Sequence, residues 1–246
     1  MRIIPRPQNP VPQKWMNFHG VRTININELA QILPGYPPLG EVQLTVPAIM
    51  IPGHMTLIEL AVLVSIVRYT GATSFAQIGT FDGITVRNLL DNCPDLQSIV
   101  TVDLPNDQHL AKGSGTVYST DMFNASIMNY VDIGFRFRNH PRVGIVRDIR
   151  KDSAKLTPED FPVKPEIFFI DGSHTYDYCA SDTRIAHQVL AKPGILLWHD
   201  FDKINDLPGV TRALTELADD PYYTLYWLTD FPETSLVIGI QNNPPG

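Results

Sequence analysis

Two apolar runs in this chain stop at the same kinds of residue. In FFIDGSHTYDYCASD, residues 168–182, the run ends at Asp171 and His174 follows three positions later. In GILLWHDFD it ends at His199 and Asp200. Histidine exchanges a proton near neutrality, so an acid and a histidine at one point suit proton removal from a bound molecule. Other strand-like runs end in unusual polar or glycine residues: Gly79 after SFAQI, Asp103 after SIVTV, and Asp148 in RVGIVRDI. In open α/β sheets, ligands bind at the carboxyl ends of the strands, so these positions together predict a site. The turn GTFDG, with Gly79 and Gly83, lets the backbone bend sharply and approach a ligand. Asp103, some twenty residues on, is placed for the two hydroxyls of a ribose. An adenosine-containing cofactor follows. The spacing is not G-x-G-x-x-G, which argues against a dinucleotide.

The elements that must position these residues read clearly from residue 55 onward. A helix over about 56–70 precedes SFAQIG, a second begins at Thr85, and SIVTVDL follows. Residues 105–141 are mixed, with a candidate helix near DMFNASIMNYV. RVGIVRDI, PEIFFID and GILLWHDF are three further strands, with a helix over 176–191 and another at VTRALTELAD. YTLYWL and SLVIGI close the chain, joined only by TDFPET. Apolar strands alternating with helices predict an α/β fold: a doubly wound, mostly parallel, seven-stranded sheet covered on both faces. The short last link predicts a C-terminal antiparallel hairpin.

Nine of the 21 prolines lie in residues 1–52. Proline removes donors and blocks pairing, so this leader is expected as an irregular arm, set apart from the domain at 53–246. Val21, Ile24, Ile26, Leu29, Ile32 and Leu33 give it apolar residues to pack, with a short helix in NINELAQIL. It would cover a site or make a dimer contact, which leaves a homo-oligomer open.

The formal net charge of -7, with no Lys or Arg run, disfavours a nucleic-acid surface. MTLIELAVLVSIVRY carries Glu59 and ends in Arg68; it is too short and too charged to span a membrane. Cys93 and Cys179 have no CxxC or metal-knuckle spacing, and a reduced, cytoplasmic protein is expected.

Taken in order, QIGTFDGIT, VTVDLP, RKDSAKL, FFIDGSHTYDYCASD, GILLWHDF, GVTRALTEL and ETSLVIGI resemble the class I S-adenosylmethionine-dependent methyltransferases. The resemblance is nearest to the small-molecule O-methyltransferase branch with IDGSHxY and WHD motifs, and covers about residues 55–240. It implies a Rossmann-like methyltransferase fold and transfer of a methyl group to a hydroxyl of a sugar, phenol or other secondary metabolite. Gly79 and Thr80 would lie against the methionyl part of the cofactor, Asp103 at the ribose, and Asp152 and Ser153 at the adenine. Asp171 would face the methionyl end and the reaction centre. His174 would be the general base. Asp171, His199 and Asp200 would hold a divalent metal of the magnesium or manganese type; alternatively, His199 positions the acceptor without metal. The chain departs from the family at Gln77, often Glu, and at Lys151, often Gly.

Bland roles stand beside these. Asp182 shares a helix face with Tyr178, Ile185 and Val189 and reads as a buried, hydrogen-bonded structural acid. Trp198 and Met55 read as core, and His54, His109, His140 and His187 are given no role. Two other functions compete: a nucleotide-cofactor oxidoreductase, and a non-catalytic module that keeps the cofactor fold. Neighbouring strand residues point to opposite faces, so His199 and Asp200 converge only if the chain leaves strand geometry there.

Overall fold

A computed structural model of the chain describes residues 17–18, 20–33, 35–37, 40–48, 50, 53–105, 132–201, 208–229 and 234–242. The leader holds β1 (Asn17–Phe18), β2 (Val21–Ile24) and α1 (Leu29–Ile32). Then come α2 (Leu57–Thr70), β3 (Ser74–Ile78), α3 (Ile84–Asn92), β4 (Ser98–Asp103) and β5 (Val146–Arg150). The second half supplies β6 (Ile167–Ile170), α4 (Tyr176–Val189), β7 (Ile195–Trp198), α5 (Pro208–Ala218), β8 (Tyr223–Leu228) and β9 (Val237–Gln241).

These strands form one sheet in the order β1-β2-β8-β9-β7-β6-β3-β4-β5. Every residue of β3, β6 and β7 is buried, as in a parallel sheet with both faces covered. Adjacent Phe168 and Phe169 show the two-faced period. Phe168 belongs to the core on one face with Leu196, Ile185 and Ala186, and Phe169 to the core on the other with Leu63, Leu89 and Leu197. β9 runs antiparallel to both β7 and β8, which is the closing hairpin expected from its short link.

The seven strands read from the sequence are all present, and the leader adds two more. It is not merely an irregular wrap. β2 pairs in parallel with β8 through Arg22↔Tyr226 and Ile24↔Leu228, and β1 folds back on β2. The outer edge of β8 would otherwise expose unpaired backbone groups. Leu29, Ile32 and Leu33 are at most 2% exposed, in the same core as α2. The helix expected in NINELAQIL is present as a 3-10 turn, Ile26–Glu28, that runs into α1. The candidate helix at 121–131 lies outside the described residues.

α2 starts at a Thr56 cap whose side chain accepts from the Glu59 backbone, and Gly71 ends it at φ +67°. Among the described residues no helix is long and apolar enough to cross a membrane. Cys93 and Cys179 are free and buried, and burial pushes both thiols up to about 12.

Candidate active site

Strand register aligns the predicted positions. Ile78 pairs with Val102 on one side and Ile170 on the other, and Ile170 pairs with Trp198. Gly79, Asp103, Asp171 and His199 therefore occupy one row, immediately past a common level. The ladder reaches into that row: Gly79 N donates to Val102 O (2.9 Å), Asp171 N to Ile78 O (2.9 Å) and His199 N to Ile170 O (3.1 Å). The chain passes from β3 through β4 and β5 on one side to β6 on the other. The row thus straddles the switch point where ligands bind in such sheets. Asp148 is not at a strand end. It pairs with Thr101 inside β5 and bonds Arg150 at 2.6 Å.

The turn after β3 is built from both sides. Gly79 has φ +98°, and a side-chain carbon there would stand 1.9 Å from the Asp171 carbonyl oxygen. The close approach of the β3 and β6 ends therefore demands glycine. Asp103 Oδ2 accepts from Thr80 N (3.0 Å) and Phe81 N (2.8 Å), and Oδ1 accepts from Leu104 N (2.8 Å). Asp103 thus holds the turn itself, and it remains partly exposed. Thr80 is 2% exposed and its hydroxyl bonds Thr101 Oγ1 at 2.7 Å, so its side chain is turned inward. The Gln77 amide donates to Gly79 O and Thr101 Oγ1, each at 3.0 Å. A glutamate there would lack those donors.

At the ends of β6 and β7 the four predicted groups meet. His174 Nε2 lies 2.7 Å from Asp200 Oδ2. His199 Nδ1 lies 3.2 Å from both Asp171 Oδ1 and Asp200 Oδ2. The condition for convergence holds: β7 stops at Trp198, and Asp200 takes φ +66°, outside strand geometry. The Asp200 N–H is held by Ser235 Oγ at 3.1 Å. Burial alone would push the His199 imidazole down, but the Asp200 and Asp171 carboxylates beside it raise it well above its usual value. Burial would raise Asp200; His199 and His174 instead hold it well below the carboxylate range.

Ligating atoms of Asp171, His174 and Asp200 all lie within 4.8 Å of one another. His199 Nδ1 is buried, with two carboxylate oxygens 3.2 Å away. Adjacent ligands of a six-coordinate ion with bonds of about 2.1 Å stand roughly 3 Å apart. The residues present therefore fit a divalent cation held by two oxygens and a nitrogen.

Residues 76–201, slightly more than half of the chain, match the family model described as a methyltransferase domain. The chain belongs to that methyltransferase family. Solved structures share the fold of this methyltransferase. The SAH-bound methyltransferase PaMTH1 of Podospora anserina is 12% identical with a TM-score of 0.55, covering 78% of this chain and 81% of its own. The SAH complex of the O-methyltransferase from Bacillus cereus is 13% identical with a TM-score of 0.53, covering 80% and 84%. The O-methyltransferase TomG from Streptomyces achromogenes, involved in tomaymycin synthesis and in complex with SAM, is 15% identical with a TM-score of 0.52, covering 77% and 82%. No curated protein matches the chain in sequence.

Asp152 and Ser153 follow β5, at the far end of the methyltransferase row. Asp152 Oδ1 caps Ala154 N (3.2 Å) and accepts from Tyr178 Oη (3.1 Å). The first turn of α4 thereby connects this segment with β6. Lys151 Nζ bonds Asp160 Oδ2 at 2.6 Å, which gives that departure a local structural role. Asp182 differs from its sequence reading. It is fully buried, yet neither carboxylate oxygen makes a well-aligned hydrogen bond among the described residues. Burial pushes it up to about 7, with Asp152 adding to the rise and Ser153 opposing it. Trp198 is core as read, its indole donating to Thr183 Oγ1 at 2.9 Å. Met55 is buried in the α2 core.

Two participants escaped the sequence reading. Glu59, a lone acid in an apolar helix, reaches His199 Nε2 at 3.2 Å. His54, given no role, lies 2.8 Å from buried Asp82 of the glycine turn, and Arg136 completes that cluster. Glu59 had a faint signal, a lone acid in an apolar helix; His54 had none. His140 and His187 bond Asp91 and Tyr223 away from the row, and His109 lies outside the described residues.

Proposed function

We propose that this methyltransferase moves the methyl group of S-adenosylmethionine to a hydroxyl oxygen of a small molecule, a sugar, phenol or other secondary metabolite, with a divalent cation assisting. The observation that carries the reading is the convergence of Asp171, His174, His199 and Asp200 beside the glycine turn at the switch point. The neighbours described as O-methyltransferases bound to SAM or SAH support the donor and the acceptor atom. The exposed edge of Asp103 suits the ribose, the Gly79 turn the methionyl group, and the Asp152–Ser153 segment the adenine.

In the transfer the S–CH3 bond breaks, an O–CH3 bond forms, and the sulfonium becomes a neutral thioether. The acceptor must lose its proton and lie in line with the methyl group. His174 takes that proton. Asp200, 2.7 Å from His174 Nε2, orients the ring and stabilises the imidazolium that results. Asp171, His199 and Asp200 would hold the cation, which when bound supplies Lewis-acid charge that eases deprotonation of a hydroxyl.

The test combines calorimetry with SAH and a mass-spectrometric screen of hydroxylated metabolites, before and after exhaustive chelation. Expected are SAH binding, a methylated product, loss of turnover on chelation, and recovery with magnesium or manganese. Full turnover without metal would overturn the cation and leave His174 and His199 to handle the acceptor alone. No affinity for SAM or SAH would overturn the reading as a whole.

A further inference from the structure

Glu59 lies 140 positions before His199 in the chain, yet it is 1% exposed and touches the catalytic cluster. Its partners are all donors. Oε2 accepts from Thr56 N (3.0 Å) and Thr56 Oγ1 (2.8 Å), and Oε1 from Ser235 N (2.6 Å) and Ser235 Oγ (3.2 Å). His199 Nε2 is the remaining contact, 3.2 Å from Oε2. A carboxylate so surrounded accepts only, and the imidazole edge facing it must carry the proton.

The other edge of His199, Nδ1, faces Asp171 Oδ1 and Asp200 Oδ2 at 3.2 Å each. With a proton at Nε2 committed to Glu59, Nδ1 is the edge left to face the acids and any cation they hold. We infer that Glu59 is a positioning residue that holds the Nε2 proton and the ring orientation, so that His199 turns Nδ1, and not Nε2, toward the divalent cation. A carboxylate behind a ligating histidine is a recurrent device in metal sites, because it fixes the ring and raises its basicity.

The same contacts tie the arrangement to the fold. Ser235 Oγ accepts from the Asp200 N–H and donates its own O–H to Glu59 Oε1. Thr56 and Glu59 cap the start of α2 reciprocally. One carboxylate therefore links the start of α2, the end of β7 and the lead-in to β9, and the His199 ring cannot rotate without breaking that link.

The inference rests on the cation of the proposed function, and the experiment separates the two. Manganese is titrated into the wild type and Glu59→Gln, with free ion followed by electron paramagnetic resonance. SAH binding and circular dichroism report whether the variant is folded. The expected result is roughly 10–100-fold weaker manganese binding in Glu59→Gln, the usual cost of losing such a support, with SAH affinity retained. Equal manganese affinity in folded wild type and variant overturns the role of Glu59 alone. A wild type that binds no manganese overturns the cation and this inference together. Should the variant not fold, two-bond proton–nitrogen correlation spectra of the zinc-loaded wild type decide. A protonated Nε2 with Nδ1 ligated supports the inference, and ligation through Nε2 overturns it.

Discussion

Replacing Gly79 by alanine should damage stability and catalysis together, because one atom meets both. The added carbon would stand 1.9 Å from the Asp171 carbonyl oxygen and 2.6 Å from its carbon, whereas real contacts of this kind do not fall below 3.0 Å. The ends of β3 and β6 must therefore part by about 1 Å to relieve the overlap. The bond from Asp171 N to Ile78 O, now 2.9 Å, would stretch beyond hydrogen-bonding range. Loss of that buried bond costs about 1–3 kcal/mol. Holding alanine in the left-handed region, where Gly79 sits at φ +98°, adds about 1–2 kcal/mol. The sum is roughly 2–5 kcal/mol, or a fall of roughly 5–15 °C in Tm for a chain of this size. Asp171 moves with the backbone, and a shift on the order of 1 Å costs about 10²-fold in turnover. Urea denaturation gives the first quantity and initial rates the second. A Gly79→Ala protein within about 0.5 kcal/mol of wild type, turning over normally, would refute the close-approach argument.

Asp182 should make the protein less stable as pH rises. Its folded value, pushed up to about 7, lies above the unfolded carboxylate value of about 3.9. The folded state thus keeps a proton that the unfolded state releases, and stability is lost between about pH 4 and 7, with a ceiling of about 4 kcal/mol. Asp182→Asn should gain on wild type across that window and hold its advantage above it; an unchanged difference in unfolding free energy at pH 5 and pH 8 would refute the assignment. For the proton chemistry, His174→Ala should lower turnover by roughly 10²–10⁴-fold while SAH affinity barely changes. Near-normal rates in that variant, measured with an authentic acceptor, would move the base role away from His174.

The strands, their order of helices and the end residues were legible because each depends on neighbours in the chain. IFFI and ILLW are continuous apolar runs, fit only for strands buried on both faces. The residues that stop them, Asp171 and His199, then fall at a ligand-binding edge by the rule for parallel sheets. The TDFPET link fixed the hairpin by its length alone. Asp182 was placed correctly as a buried helix residue, but its raised value depends also on Asp152 and Ser153, which the end of β5 places opposite it, and no periodicity encodes that.

Tertiary structure decided what lies across long separations. The leader reads as irregular because proline dominates it, yet the open edge of β8 recruits Val21–Ile24 as a strand. His199 and Asp200 converge because Asp200 leaves strand geometry at φ +66°, held by Ser235 from the lead-in to β9. Glu59 enters the cluster only because α2 packs with its first turn against that same corner. Local sequence specifies elements through backbone propensity and apolar period. Which side chains then share a corner is set by the packing of whole elements, and that information is not contained in any one stretch of the chain.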